Sequence, residues 1–147
     1  MEQRLSLITL GVKDLAQARA FYEALGWKRG GPSNDHVAFF QLAGIIIGLW
    51  SKDALAEEAG LDLGKGFGGI VLAQNVSDRA GVDRVLAEAK KAGGKIIAEA
   101  SEKFWGGYSG YFSDLDGYPW EVAWNPGFAI TEDGNTLLTP PGSQGKR

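Results

Sequence analysis

LSLITLGVKDLAQARAFYEALGWK, residues 5–28, changes its hydrophobic period once, and that change sets the fold. Residues 5–12 are apolar and β-branched with little polar alternation, the pattern of a strand covered on both faces. Asp14 follows where a helix must begin, since its carboxylate can accept from the orphan N–H groups of a first turn. Leu15, Ala18, Phe21, Tyr22 and Leu25 then recur at helical spacing and form one apolar face. Gly26 ends that face in a position suited to left-handed backbone. Three short strands are predicted next, over 27–30, 36–42 and 45–50, with a turn at Ala43-Gly44. The order is β-α-β-β-β.

The same order recurs downstream. Residues 68–76 predict a strand, and Ser77 or Asp78 can cap a helix whose Val82, Val85, Leu86 and Ala89 share a face. Lys90 and Lys91 occupy its last turn, where cations favour the negative end of the helix dipole. Gly93-Gly94 stops it, and strands are predicted near 95–98, 107–113 and 119–124. The joints correspond: Val12-Lys13-Asp14 with Val76-Ser77-Asp78, and Gly26-Trp27-Lys28 with Gly93-Gly94-Lys95. A duplicated unit accounts for both at once. The expected class is α+β: two tandem βαβββ modules, about 4–51 and 67–126, forming a cupped mixed sheet around a cavity. Residues 52–66 form a linker with a short helix at 53–59, the domain closes near 127, and 128–147 reads as a polar arm or tail.

Composition narrows the function. A chain of 147 residues suits one domain or two small modules sharing a core. The net charge is −3, and the Lys and Arg residues are scattered rather than clustered with aromatics, which argues against nucleic acid. No apolar stretch approaches the roughly 20 residues a membrane span needs. The start carries no basic segment leading into an apolar one, so a cytoplasmic protein is expected. With no cysteine, disulfides, thiolate metal sites and cysteine nucleophiles are excluded. The single histidine, His36, would have to serve any triad or histidine-rich metal site, and it reads most simply as a polar residue at the start of a strand.

Three segments resemble the vicinal oxygen chelate superfamily, which contains glyoxalase I, bleomycin-resistance proteins and extradiol dioxygenases. They are Val12–Leu15 with Ala20-Phe21-Tyr22-Glu23-Ala24-Leu25-Gly26-Trp27, Phe104-Trp105-Gly106-Gly107-Tyr108-Ser109-Gly110-Tyr111-Phe112, and Asp114-Leu115-Asp116-Gly117-Tyr118-Pro119-Trp120-Glu121. In the third, Leu115 replaces the proline usual in the family's turn. The likeness covers about residues 5–126 and speaks to fold more than to chemistry, because this fold hosts several reactions.

The resemblance implies four metal-ligand positions, which in metal-dependent relatives carry His, Glu or Gln. Here they fall on Leu7, Gly48, Gly69 and Glu121. The offset of the first module would put the third on Val71 instead, and a larger slip on Gln74. Only Glu121 is a donor of the expected type, so no metal and no other cofactor is expected. Strand alternation places Leu7, Gly48, Trp50, Gly69 and Glu121 on the cavity side, with the two glycines leaving space there. Trp105, Tyr108 and Tyr111 lie beside it by connectivity, with Phe104-Trp105 a candidate stacking wall; as strand aromatics they read equally as core. An apolar cleft disfavours an ionised carboxylate, which would suit Glu121 to act as a base or a ligand anchor; it reads equally as an acid bonded to a tyrosine or lysine.

Two functions follow from different classes. The first is a protein that binds or sequesters a small organic molecule in an apolar cavity, as a homodimer similar in kind to the bleomycin-resistance branch. The second is a metal-independent lyase or isomerase using Glu121 as general base on a small carbonyl compound. A metal-dependent glyoxalase-type lyase is a third, against which the ligand count argues. A second polar group converging on Glu121 would favour the enzyme.

Overall fold

The computed structural model describes residues 3, 7–30, 34–68 and 70–138. The chain divides into two units, Met1–Ile70 and Val71–Arg147. In the first, β1 (Leu7–Val12) leads into α1 (Leu15–Ala24), followed by β2 (Arg29–Gly30), β3 (Val37–Gln41), β4 (Ile46–Ser51) and α2 (Lys52–Ala59). In the second, β5 (Leu72–Asn75) leads into α3 (Arg79–Lys91), then β6 (Lys95–Glu102), β7 (Tyr108–Ser113) and β8 (Pro119–Trp124). The four-stranded sheets have the same order, β1-β4-β3-β2 and β5-β8-β7-β6, each with its first strand parallel to its last. The duplicated α+β plan expected from the joints is therefore present in both units.

Local chemistry repeats as well. Asp14 caps α1 by accepting from the Gln17 amide at 2.9 Å, and the Gln17 side chain donates back to its other oxygen at 3.1 Å. Asp78 caps α3 through the Gly81 amide at 2.7 Å. Both helices end on paired bonds around a left-handed glycine. Trp27 N donates to Tyr22 O and Gly26 N to Glu23 O, while Gly94 N donates to Ala89 O and Gly93 N to Lys90 O. Gly26 and Gly93 have φ of 89° and 104°, a region that L side chains avoid.

In each unit one sheet face is covered by its helix. Leu10, Val12, Ile47 and Leu49 are buried with Ala18, Phe21 and Tyr22 of α1. Tyr22 stacks on Trp27 at 4.9 Å, and Trp27 meets Phe40 edge-on at 5.6 Å. In the second unit Leu72, Phe112, Trp120 and Val122 are buried with Val82, Leu86 and Ala89 of α3, and Phe112 stacks on Trp120. Each such Val, Leu, Ile or Phe side chain contributes about 1.5–3 kcal/mol by leaving water. Alternation then commits the other face of each sheet to the intervening residues. The 114–118 turn before β8 is held by Asp114, a buried carboxylate that accepts from the Asp116 and Tyr118 amides.

Two features differ from expectation. The strand predicted over 95–98 runs on to Glu102, because residues 99–102, polar apart from Ala100, belong to a sheet edge that pairs with β7 through two register shifts. Part of the expected polar tail is a β-hairpin: β9 (Phe128–Ile130) pairs antiparallel with β10 (Thr136–Leu138). Its turn is closed by the Thr131 amide donating to Asn135 O, with Gly134 at φ 83°. Residues 139–147 lie outside the described ones.

Candidate functional site

In the first unit, pairing puts Leu7 beside Ile46, Thr9 beside Gly48, and Gly48 beside Phe39. Leu7, Thr9, Ile46, Gly48, Trp50, Val37 and Phe39 thus share the face turned away from α1. This face is apolar apart from Thr9 and, at one end of β3, Gln41 opposite Ile46. The expectation that Gly48 leaves open space is corrected by Phe39: a Cβ on Gly48 would meet ring atoms of Phe39 at 3.1 and 3.3 Å and Leu7 Cδ1 at 3.5 Å. The glycine makes room for that phenyl ring. At the end of this face, Gly11 lets α2 approach; a Cβ there would lie 2.9 Å from Lys52 Cβ.

In the second unit, Glu121 pairs with Ala73 on one side and Tyr111 on the other. Its face, opposite α3, also carries Asn75, Ala123, Ser109 and Ser113. The Tyr111 hydroxyl is hydrogen-bonded to the Glu121 carboxylate; burial first, and then this bond, push the phenol above its usual pKa. Tyr111 is therefore a donor held neutral beside an acid. Ser109 is fully buried, and its hydroxyl has no hydrogen-bond partner.

Tyr108 lies on the other face. It pairs with Trp124, and its hydroxyl donates to Asp83 of α3 at 2.9 Å, which pushes the phenol up. Nearby, Arg79 forks onto Glu102 at 2.7 and 3.2 Å and stands over the Trp124 ring at 4.2 Å. Arg79 holds the Glu102 carboxyl below its usual range, chiefly through that hydrogen bond. Trp105 lies in the loop between β6 and β7. There Gly107 leaves the room that its indole takes, since a Cβ on Gly107 would overlap that ring. Phe104 beside it is fully exposed. His36 is exposed just before β3.

Gly69 lies outside the described residues. Register shows what stands in its place: if Glu121 corresponds to Gly48, its partner Ala73 corresponds to Thr9, so Leu7 corresponds to Val71. Leucine, glycine and valine supply no donor, and the residues present do not fit the metal that the fold implies. Among the described residues, no three His, Cys, Asp or Glu side chains group so as to hold a metal ion. Tyr111 was the residue least legible in advance; only the register that opposes it to Glu121 singles it out from its neighbours.

Residues 4–122 match the family described as the Glyoxalase/Bleomycin resistance protein/Dioxygenase superfamily, and the chain belongs to that family. No curated protein matches it. A glyoxalase-related enzyme from Fulvimarina pelagi is 32% identical, with 95% of this chain and 100% of that one covered and a TM-score of 0.87. A lactoylglutathione lyase from Agrobacterium tumefaciens is 20% identical over 84% of this chain and 94% of its own, with a TM-score of 0.64. A glyoxalase/bleomycin resistance protein/dioxygenase family enzyme from Burkholderia phytofirmans PsJN, 19% identical, covers 80% of this chain and 95% of its own at a TM-score of 0.72. The last two likenesses concern fold alone. Among the described residues no helix is long and apolar enough to cross a membrane.

Proposed function

We propose that this chain is a glyoxalase/bleomycin-resistance protein that works without a metal and binds a small organic molecule on a sheet face turned away from its helix. The observation that carries the reading is the fate of the ligand positions: Leu7, Gly48 and Val71 present apolar surface, and Glu121 is kept with a tyrosine partner. Apolar walls with few placed polar groups are what such ligands require. Leu7, Gly48 and Trp50 are the proposed contacts in the first unit, and Glu121 is the proposed contact in the second. Tyr108 holds its strand to α3. Thermal-shift screening of purified protein against metabolites and antibiotics, beside elemental analysis, tests the proposal. A stabilising organic ligand with no stoichiometric metal supports it; one transition metal per chain overturns it.

One observation favours a second reading, a metal-independent lyase or isomerase. Tyr111 is the second polar group that Glu121 needs in order to move a proton at a small carbonyl compound. Solvent deuterium appearing in such a compound, and its loss in Glu121→Gln, would decide for catalysis.

We also propose a cytoplasmic homodimer. Leu61, Leu63, Phe67 and Ile70 beyond α2, and Phe128, Ile130, Leu137 and Leu138 in the hairpin, are exposed apolar residues that a second copy of the chain would cover.

A further inference from the structure

We propose that the Glu121 face of the second unit selects an organic cation, a protonated amine or amidinium on an apolar body; this rests on the small-molecule reading above. Glu121 is half-buried, and its strand neighbours Ala73, Pro119 and Ala123 are apolar. Among the described residues no cationic side chain pairs with it, in contrast to Glu102, which holds Arg79, and Glu23, which faces Arg19. Its cross-strand partner Tyr111 donates a hydrogen bond and so accounts for part of the acceptor capacity of two carboxylate oxygens. A carboxylate among apolar groups is costly unless its charge is matched. A ligand ammonium supplies the match through a charge-assisted bond, and the Tyr111 ring can flank it.

Ser109 points to the same class independently. Its hydroxyl is fully buried without a partner, on the same face two residues from Tyr111 and diagonal to Glu121 across β7 and β8. Buried hydroxyls are almost always bonded, so an orphan of this kind marks a place for a donor or acceptor from outside the chain. An ammonium or amidinium has more than one N–H, enough for the carboxylate and for the Ser109 oxygen. A carboxylate or phosphate ligand would meet Glu121 as a like charge.

The test uses the whole protein and three probes of one shape: benzylamine, benzyl alcohol and benzoate, titrated by calorimetry. Benzylamine should bind at least about tenfold more tightly than either other probe, the worth of one charge-assisted bond. Glu121→Gln should erase that preference, and Glu121→Asp should keep part of it, which separates lost charge from lost fold. Ser109→Ala should weaken benzylamine several-fold while its Tm stays level or rises, since a purely structural serine would leave affinity alone. Equal binding of benzyl alcohol, or a preference that survives Glu121→Gln, overturns the cation inference and leaves the small-molecule reading standing. Binding of benzoate but not benzylamine does the same. Failure of all three probes overturns the inference, and the metabolite screen then judges the broader reading separately.

Discussion

Two glycines carry opposite lessons about side-chain volume. Gly11 faces backbone: a Cβ would meet Lys52 Cα at 3.0 Å, so the clash has no flexible end to relieve it. Gly11→Ala should cost about 1–3 kcal/mol in chemical denaturation, and α2 should loosen first. Gly48 faces the Phe39 ring. Gly48→Trp should lower Tm, and adding Phe39→Ala should recover part of the loss, because the second change vacates the space that the indole needs. Tyr111 makes a prediction about pH. Its folded pKa is raised, so the stability it contributes is fully present below the unfolded value of about 10 and is lost as pH rises through the folded one. Alkaline unfolding should be less steep in Tyr111→Phe than in the parent. Tyr108, raised by its bond to Asp83, adds a loss of the same sign in both proteins.

Among elements, the β6–β7 hairpin shows how placement depends on contacts that composition hides. Glu102 and Tyr108 face each other at its loop end, and each is tied to α3, through Arg79 and Asp83. An exposed ion pair adds little to global stability. Its effect belongs to the loop at 103–107, which carries Phe104 and Trp105. Glu102→Gln with Tyr108→Phe should leave the midpoint of unfolding almost unchanged and speed amide exchange within that loop. Helices and central strands were legible because caps, glycines and apolar period agree at each of them. The β9–β10 hairpin was missed because residues 131–135 are polar and short, although Phe128, Ile130, Leu137 and Leu138 flank a turn containing glycine. Tyr111 is hard to weigh for another reason: its opposition to Glu121 depends on the register of β7 against β8, which the sequence does not show.

At the scale of the molecule, two units with one strand order confirm the duplication read from the joints at Asp14 and Asp78. Light scattering at micromolar concentration should report a homodimer, and truncation before Phe128 should weaken it if the hairpin contributes apolar surface to the contact. A chelator should leave Tm unchanged, since leucine, glycine and valine stand at three of the ligand positions.

The tryptophans also give the protein an optical signature. Trp120 is buried and lies parallel to Phe112, with an interplanar angle of 2°, while Trp27 stacks on Tyr22. Such rigid, closely spaced rings should couple their transitions and produce strong near-ultraviolet circular dichroism. Trp124, beneath the Arg79 guanidinium, should emit at a wavelength set by that charge. Trp105 is more than a third exposed, so acrylamide should quench it first. Its emission then becomes a reporter for the β6–β7 loop: a ligand that brings the loop down should shield Trp105 from quencher while the dichroism of the buried rings stays constant.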